Sequence, residues 1–246
     1  MIKGLVMTER IDGRKNDQIR EINIKRNYIS HLPGSVLIEV GKTRIICTAN
    51  MEEKVPPFLR GKKKGWVTSE YDMIPMSSPQ RIIRPQAIGR INGRTHEIQR
   101  LIGRSLRACV DLDALGERTV WVDCDVIEAD GGTRTASITG GFIALFDCLS
   151  SIVDKKIIPE MPIMAFVAAI SVGIVNGQPM VDLCFKEDSN AEVDMNVVMN
   201  SKGDFIEVQA TAESMSFSRE ELDKMLGLSE KAIQDIIDMQ KKIITG

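Results

Sequence analysis

Three observations predict an α+β fold of two similar βα halves for this 246-residue chain. Strand and helix periodicities alternate irregularly rather than in strict βα order. Gly-containing hairpin turns join several of the strands. A helical segment closes the C-terminal half, as another closes the first. No tandem repeat, low-complexity tract or long linker interrupts the chain. Residues 1–246 therefore read as one domain, with an N-terminal half at about 10–155 and a C-terminal half at about 159–246.

In order, residues 19–29 alternate as a strand, and 35–40 with 43–49 form a hairpin turning at Gly41-Lys42. Residues 52–90 are rich in Lys, Arg, Pro, Ser and Gly and read as loops around a strand within 65–76. Ile98, Leu101, Ile102, Ser105 and Cys109 recur at helical spacing, with Arg100, Arg104 and Arg107 on another face. A strand over 119–127 breaks at Asp130-Gly131-Gly132, and a helix follows from about 136 to 153. Beyond Pro159 and Pro162, strands are expected at 165–175, 180–185, 193–200 and 205–212. Ser218 with Glu221 forms a capping box that opens a helix, and Ser229 reads as the cap of a final one ending near Ile244.

Hydrophobic residues at 43% and charged residues at 27% are ordinary for a folded chain and argue against disorder. The longest nearly apolar stretch, 163–175, is too short for the ~20 residues of a membrane span. The first ten residues lack the apolar core of a signal peptide, so no membrane association and a cytoplasmic location are expected. Five dispersed cysteines without a Cys-x-x-Cys pair read as reduced, buried thiols, and two distant histidines offer no zinc site. Net charge is only −2, but residues 54–107 hold twelve Lys/Arg against three Asp/Glu. From 182 to the end fourteen acids face seven bases. A polyanion would be drawn to the first region, which otherwise serves as a solvated basic face.

Three local patterns can carry chemistry. In Asp130-Gly131-Gly132-Thr133-Arg134-Thr135 a strand ends, glycines allow close backbone approach and a helix begins. Its N–H groups and Arg134 suit an anion, although the same string also serves plain strand-to-helix connections. Asp188 and Asp194 flank a turn between two expected strands. Such carboxylates can hold Mg²⁺, supply a general acid, or simply solvate a hairpin. Arg94 precedes the arginine-bearing helix and can clamp phosphate, and Arg81, Arg84 and Arg90 are spaced to follow an RNA backbone. No aromatics interleave with those arginines, so they imply no base stacking.

Taken together, these segments resemble the ribonuclease PH family from about Arg10 to Ile243. The likeness rests on Asp12-Gly13-Arg14, Gly34-Ser35-Val36-Leu37, Val55-Pro56-Pro57-Phe58-Leu59-Arg60-Gly61 and Glu97-Ile98-Gln99-Arg100-Leu101-Ile102-Gly103-Arg104. It continues through Asp123-Cys124-Asp125-Val126-Ile127, Ala129 to Thr135, and Glu187-Asp188-Ser189 with Ala191-Glu192-Val193-Asp194-Met195-Asn196. The resemblance implies a fold like the second domain of ribosomal protein S5 and a homohexameric ring, a trimer of dimers. It also implies a phosphorolytic 3′→5′ exoribonuclease that trims RNA 3′ ends, tRNA precursors first and ribosomal RNA as a second substrate, with inorganic phosphate as co-substrate. Carried onto this chain, Gly132, Thr133, Arg134 and Arg94 would hold phosphate, Asp188 and Asp194 would provide the Mg²⁺ or acid function, and Arg81, Arg84 and Arg90 would guide RNA. Two rival readings are a catalytic ring subunit of an exosome-like complex and a non-catalytic RNA-binding ring subunit. Where bacterial members usually read Leu-Pro-Arg-Ala-Thr, this chain has Ile74-Pro75-Met76-Ser77-Ser78, which removes one expected RNA contact.

Overall fold

A computed structural model describes residues 10–84, 89, 93–214 and 216–246. Two sheets carry the fold. The first comprises β1 (Ile22–Arg26), β2 (Ser35–Val40), β3 (Thr43–Glu52), β4 (Trp66–Met73) and β5 (Thr119–Glu128), in the order β1-β2-β3-β5-β4. Only β4 runs parallel to its neighbour, because α1 (Gly93–Arg107) and the short α2 (Leu112–Leu115) lie in the crossover from β4 to β5. The second sheet is antiparallel, with β6 (Val167–Val175), β7 (Gln178–Val181), β8 (Val193–Asn200) and β9 (Phe205–Ala212) in the order β7-β6-β8-β9. Helix α3 (Thr133–Asp154) ends the first half, the single turn α4 (Phe185–Asp188) joins β7 to β8, and α5 (Arg219–Thr245) ends the chain.

The pattern of burial follows from this layering. On β3 and β5 alternate residues face the core, among them Ile45, Cys47, Val122 and Cys124. Strand β6 is buried at every position, since α3 lies over one side of it and α5 over the other. Close contact between α3 and the first sheet depends on small residues. A Cβ on Gly140 would stand 2.7 Å from Ile38 Cγ2 and 3.0 Å from Cys47 Sγ, so a larger side chain would lift the helix off the sheet. Helix α3 is long and apolar enough to cross a membrane, but 78% of its apolar window is buried inside the fold, as befits a central core helix. Polar stitches fix the layers. Gln240 on α5 donates to Thr139 O and Val167 O, and Arg26 on β1 pairs with Asp147 on α3 at 2.6 Å while donating to Ile243 O.

The elements depart from the sequence reading in three places. Helix α3 starts at Thr133, not near 136, which brings Thr133 and Arg134 into its first turn. The strand expected over 180–185 stops at Val181, and Phe185 instead opens α4. Ser229 caps nothing: α5 is continuous, and the buried Ser229 hydroxyl donates back to Met225 O at 2.9 Å inside the helix. All five cysteines are unpaired and buried, as the sequence predicts.

Away from the core, Glu70 and Asp72 on β4 stand in register with Asp123 and Asp125 on β5. Burial, then repulsion from Glu70 and Asp125, pushes the Asp123 carboxyl up to about 6. The native chain therefore holds a proton there that the unfolded chain releases near the ordinary aspartate value of 3.8, so stability falls as pH rises through that window. Asp123→Asn should raise the thermal midpoint at about pH 7.5 and give no gain at about pH 3.5. Equal gains at both pH values in a melting series would contradict the assignment.

Candidate active site

The site is built where β5 gives way to α3. Gly131 and Gly132 adopt φ of +80° and +65°, a left-handed turn that admits glycine at little steric cost. A Cβ on Gly131 would also meet Leu183 O at 2.5 Å. With glycine at the N-cap, no side chain caps α3, and the N–H groups of its first turn are left for an anion.

Behind this turn a second layer of hydrogen bonds holds its carbonyls. Thr43 Oγ1 donates to Gly131 O at 2.8 Å and accepts from the Asp130 amide at 2.9 Å. Arg20 Nη1 donates to Asp130 O at 2.6 Å, and Arg20 is itself gripped by Asp182 through Nε at 3.0 Å and Nη2 at 2.7 Å. Asp182 is 2% exposed. Burial works against its charge, but the Arg20 hydrogen bonds and charge, with Arg14 behind them, hold the carboxyl below its ordinary value. A parallel pair, Arg10–Glu187 at 2.6 Å, fixes α4, because Glu187 also accepts from the Cys184 amide that opens it. Within Asp12-Gly13-Arg14, Arg14 donates to Gln18 O and Asp182 O, so this motif anchors the N-terminal segment to the second half.

In front of the turn lie two adjoining depressions of about 420 and 240 Å³. Both are lined by Arg94 from α1, Arg134 from α3, Asp188 from α4 and Asp194 from β8. Gly132 and Thr133 line the smaller one. Arg134 donates to Gln209 Oε1 at 3.4 Å, and Gln209 donates to Glu97 at 2.8 Å, which ties β9 to the helix that bears Arg94. The Tyr71 hydroxyl lies 2.9 Å from Thr133 Oγ1 and orients it from β4. Burial raises the Tyr71 hydroxyl's pKa, so it remains a neutral hydrogen-bonding partner at physiological pH.

Asp188 and Asp194 are both raised above the ordinary aspartate value. For each, burial is the main cause; Asp188 adds to it at Asp194, while Arg134 and Arg94 oppose it at both. Two half-buried carboxylates of like charge, neither in an ion pair among the described residues, form a site that a cation would relieve. Among the described residues no group of three or more His, Cys, Asp or Glu gathers into a metal cage. A pair of carboxylates beside a cavity that suits anions fits Mg²⁺, which keeps several waters and binds through one or two carboxylates plus phosphate. The residues present fit that ion.

Gly132, Thr133, Arg134, Arg94, Asp188 and Asp194 thus converge, although Asp188 sits on a helical turn and not on the hairpin its sequence suggests. Arg81 and Arg84 lie exposed on the segment that follows the 75–80 turn and line neither depression. Arg90 lies outside the described residues. Met76 is 64% exposed, one residue before Ser77, whose carbonyl accepts from the Ala129 amide. Sequence reasoning missed Arg20, Thr43, Tyr71, Asp182 and Gln209, all distant in the chain from the groups they hold. Only the Asp12-Gly13-Arg14 string hinted at the N-terminal contribution.

Comparison with known proteins gives a consistent result. The model of the 3′ exoribonuclease family, domain 1, matches residues 18–150, and its domain 2 matches 165–232. The chain is 57% identical over 236 residues to a ribonuclease PH of Syntrophomonas wolfei, covering 96% of this chain and 99% of that one. It is 56% identical to a ribonuclease PH of Bacillus cereus, covering 96% of each. Among solved structures, an Archaeoglobus fulgidus exosome with RNA bound to the active site matches with a TM-score of 0.81 at 21% identity, covering 94% of this chain and 92% of that one. An archaeal exosome core matches with a TM-score of 0.76 at 20% identity, covering 95% and 91%. These two likenesses concern the fold.

Removing one partner of the buried pair should be costly, because the other charge is stranded. Asp182→Ala is expected to lower stability by roughly 3–5 kcal/mol, measured by urea unfolding. A loss below about 1 kcal/mol, the range of exposed pairs, would show that the pair is not a structural anchor.

Proposed function

This chain belongs to the 3′ exoribonuclease family, and we propose that the site at the start of α3 is where it carries out the family's reaction. The protein is a phosphorolytic 3′→5′ exoribonuclease: an oxygen of inorganic phosphate attacks the last phosphodiester, the 3′-oxygen of the preceding ribose leaves, and a nucleoside diphosphate is released. The observation that carries the assignment of the site is the meeting of an uncapped helix N-terminus with Arg94, Arg134 and two raised carboxylates in one cavity.

The reaction brings two anions together, so positive charge must be in place beforehand. The first-turn N–H groups of α3 and the guanidinium of Arg134 hold the attacking phosphate, and Arg94 holds the scissile one. Held this way, a weak nucleophile gains a high effective concentration. Asp188 and Asp194 would hold Mg²⁺, which when bound would offset charge on the phosphates. Arg81, Arg84 and Arg90 attract the RNA strand without reading sequence. The substrate we favour is a tRNA precursor, the assembly a homohexamer of three dimers, and the location cytoplasmic, where five free thiols stay reduced. Light scattering on the purified chain should give six times the mass of one chain; a smaller particle that reaches full size only with other subunits would favour the exosome-like reading.

Incubation of labelled RNA with Mg²⁺ should release nucleoside diphosphates only when phosphate is added; monophosphates formed without phosphate would rule phosphorolysis out. Arg134→Ala should reduce turnover by at least about a hundredfold, the scale of losing one transition-state donor, with the same mass in light scattering. Because the raised Asp188 and Asp194 carboxyls must lose their protons before they hold a cation, Mg²⁺ affinity should weaken as pH falls through the acid range. Added Mg²⁺ should then shift the acid limb of the activity profile downwards. An acid limb indifferent to Mg²⁺ concentration would remove the carboxylates from that role.

A further inference from the structure

The smaller depression has an apolar wall that the phosphate chemistry does not use. Phe185 is 55% exposed there, beside Met73, Pro79 and Ala129 and next to Gly132 and Asp188. Among the described residues it is the one aromatic ring lining either depression. Phe185 and Asp188 are three residues apart in one helical turn, so the ring and the carboxylate project from the same face. The open ring forms, with Met73, Pro79 and Ala129, an apolar wall in a cleft that also gathers charged groups, the mixture of apolar lining and a few convergent polar groups that ligand sites show. The ring's backbone is nonetheless firmly held. The Phe185 amide donates to Asp130 Oδ1 at 3.3 Å, its carbonyl accepts from Ser189, and Glu187 two residues on is locked to Arg10.

An enzyme that removes terminal nucleotides one after another must hold every base without reading its edge. A ring face does this, because each base has a π-face and stacking is tolerant of sequence. We propose that Phe185 is the stacking platform for the base of the 3′-terminal nucleotide, placed so that this nucleotide's scissile phosphate lies at Arg94, beside the attacking phosphate at the start of α3. The inference rests on the reading of this cavity as the RNA phosphorolysis site.

The test compares wild type, Phe185→Ala, Phe185→Leu and Phe185→Tyr on two RNAs, one ending in an ordinary nucleotide and one ending in an abasic ribose. Wild type and Phe185→Tyr should favour the ordinary end about tenfold, both in KM and in binding measured without phosphate. Phe185→Ala and Phe185→Leu should treat the two ends alike, with KM for phosphate close to wild type. Leucine keeps apolar bulk without a ring, so a Phe185→Leu variant that still favours the ordinary end would overturn stacking. Equal handling of both ends by wild type would overturn the platform altogether. A wild type that discriminates in binding yet releases no diphosphate when phosphate is added would support the platform and overturn the reaction.

Discussion

The contact between Arg20 and Asp182 governs the geometry of everything in front of it. Asp182 lies beyond β7 in the second half, with a positive φ of 55°, and Arg20 lies just before β1 in the first. Together they turn the carbonyl of Asp130 away from the cavity, which leaves the N–H groups of α3 facing into it. Arg10 and Glu187 repeat the device one turn further on, where it sets α4 and hence Asp188 and Phe185. Buried ion pairs add little net stability compared with apolar packing of equal volume. Their use here is geometric: two bidentate forks fix a turn and a short helix that no hydrophobic contact could orient as closely.

Charge in the cavity is arranged in layers. The deep guanidiniums of Arg10 and Arg20 are neutralised by Glu187 and Asp182 and offer nothing to a ligand. In front, beside Arg94, Arg134 is held loosely, through the amide oxygen of Gln209 and at 4.0 Å from Glu97. Arg134 keeps most of its donor capacity for an incoming anion. Facing them, Asp188 and Asp194 resist ionisation because burial disfavours their charge. Under the proposed function, a magnesium-bound phosphate ester would complete both sets at once, and such opposed, perturbed charges in one cleft are what a functional site gathers.

Most of the fold was legible in the sequence. The hairpin at Gly41-Lys42, the alternation over 119–127 and the capping box at Ser218 rest on local rules, and the structure follows them. Failures came where tertiary contacts override local ones. Ser229 looked like a cap, but the helix runs through it because Ala232, Ile233, Ile236 and Ile237 pack on the second sheet in a single continuous stripe. Phe185 looked like strand, but the lock on Glu187 coils that segment into a turn. The residues that line the front of the cavity lie in short strings and could be read directly. Those that hold them from behind, Arg20, Thr43 and Asp182, belong to pairings across the chain that no single window of sequence contains.

That separation also sets a schedule for the newborn chain. Arg10 and Glu187 are 177 residues apart, and Arg20 and Asp182 are 162 apart. During synthesis the N-terminal segment must wait, unpaired, until β7 and α4 have left the ribosome. The Asp130–Arg134 turn is made when about half of the protein exists, but it cannot be locked until about three-quarters does. A fragment released before that point carries the anion-binding sequence without its rigid backing. The turn is thus written in the first half of the chain but rigidified by the second, so the cavity takes its shape only when the two halves have closed on each other.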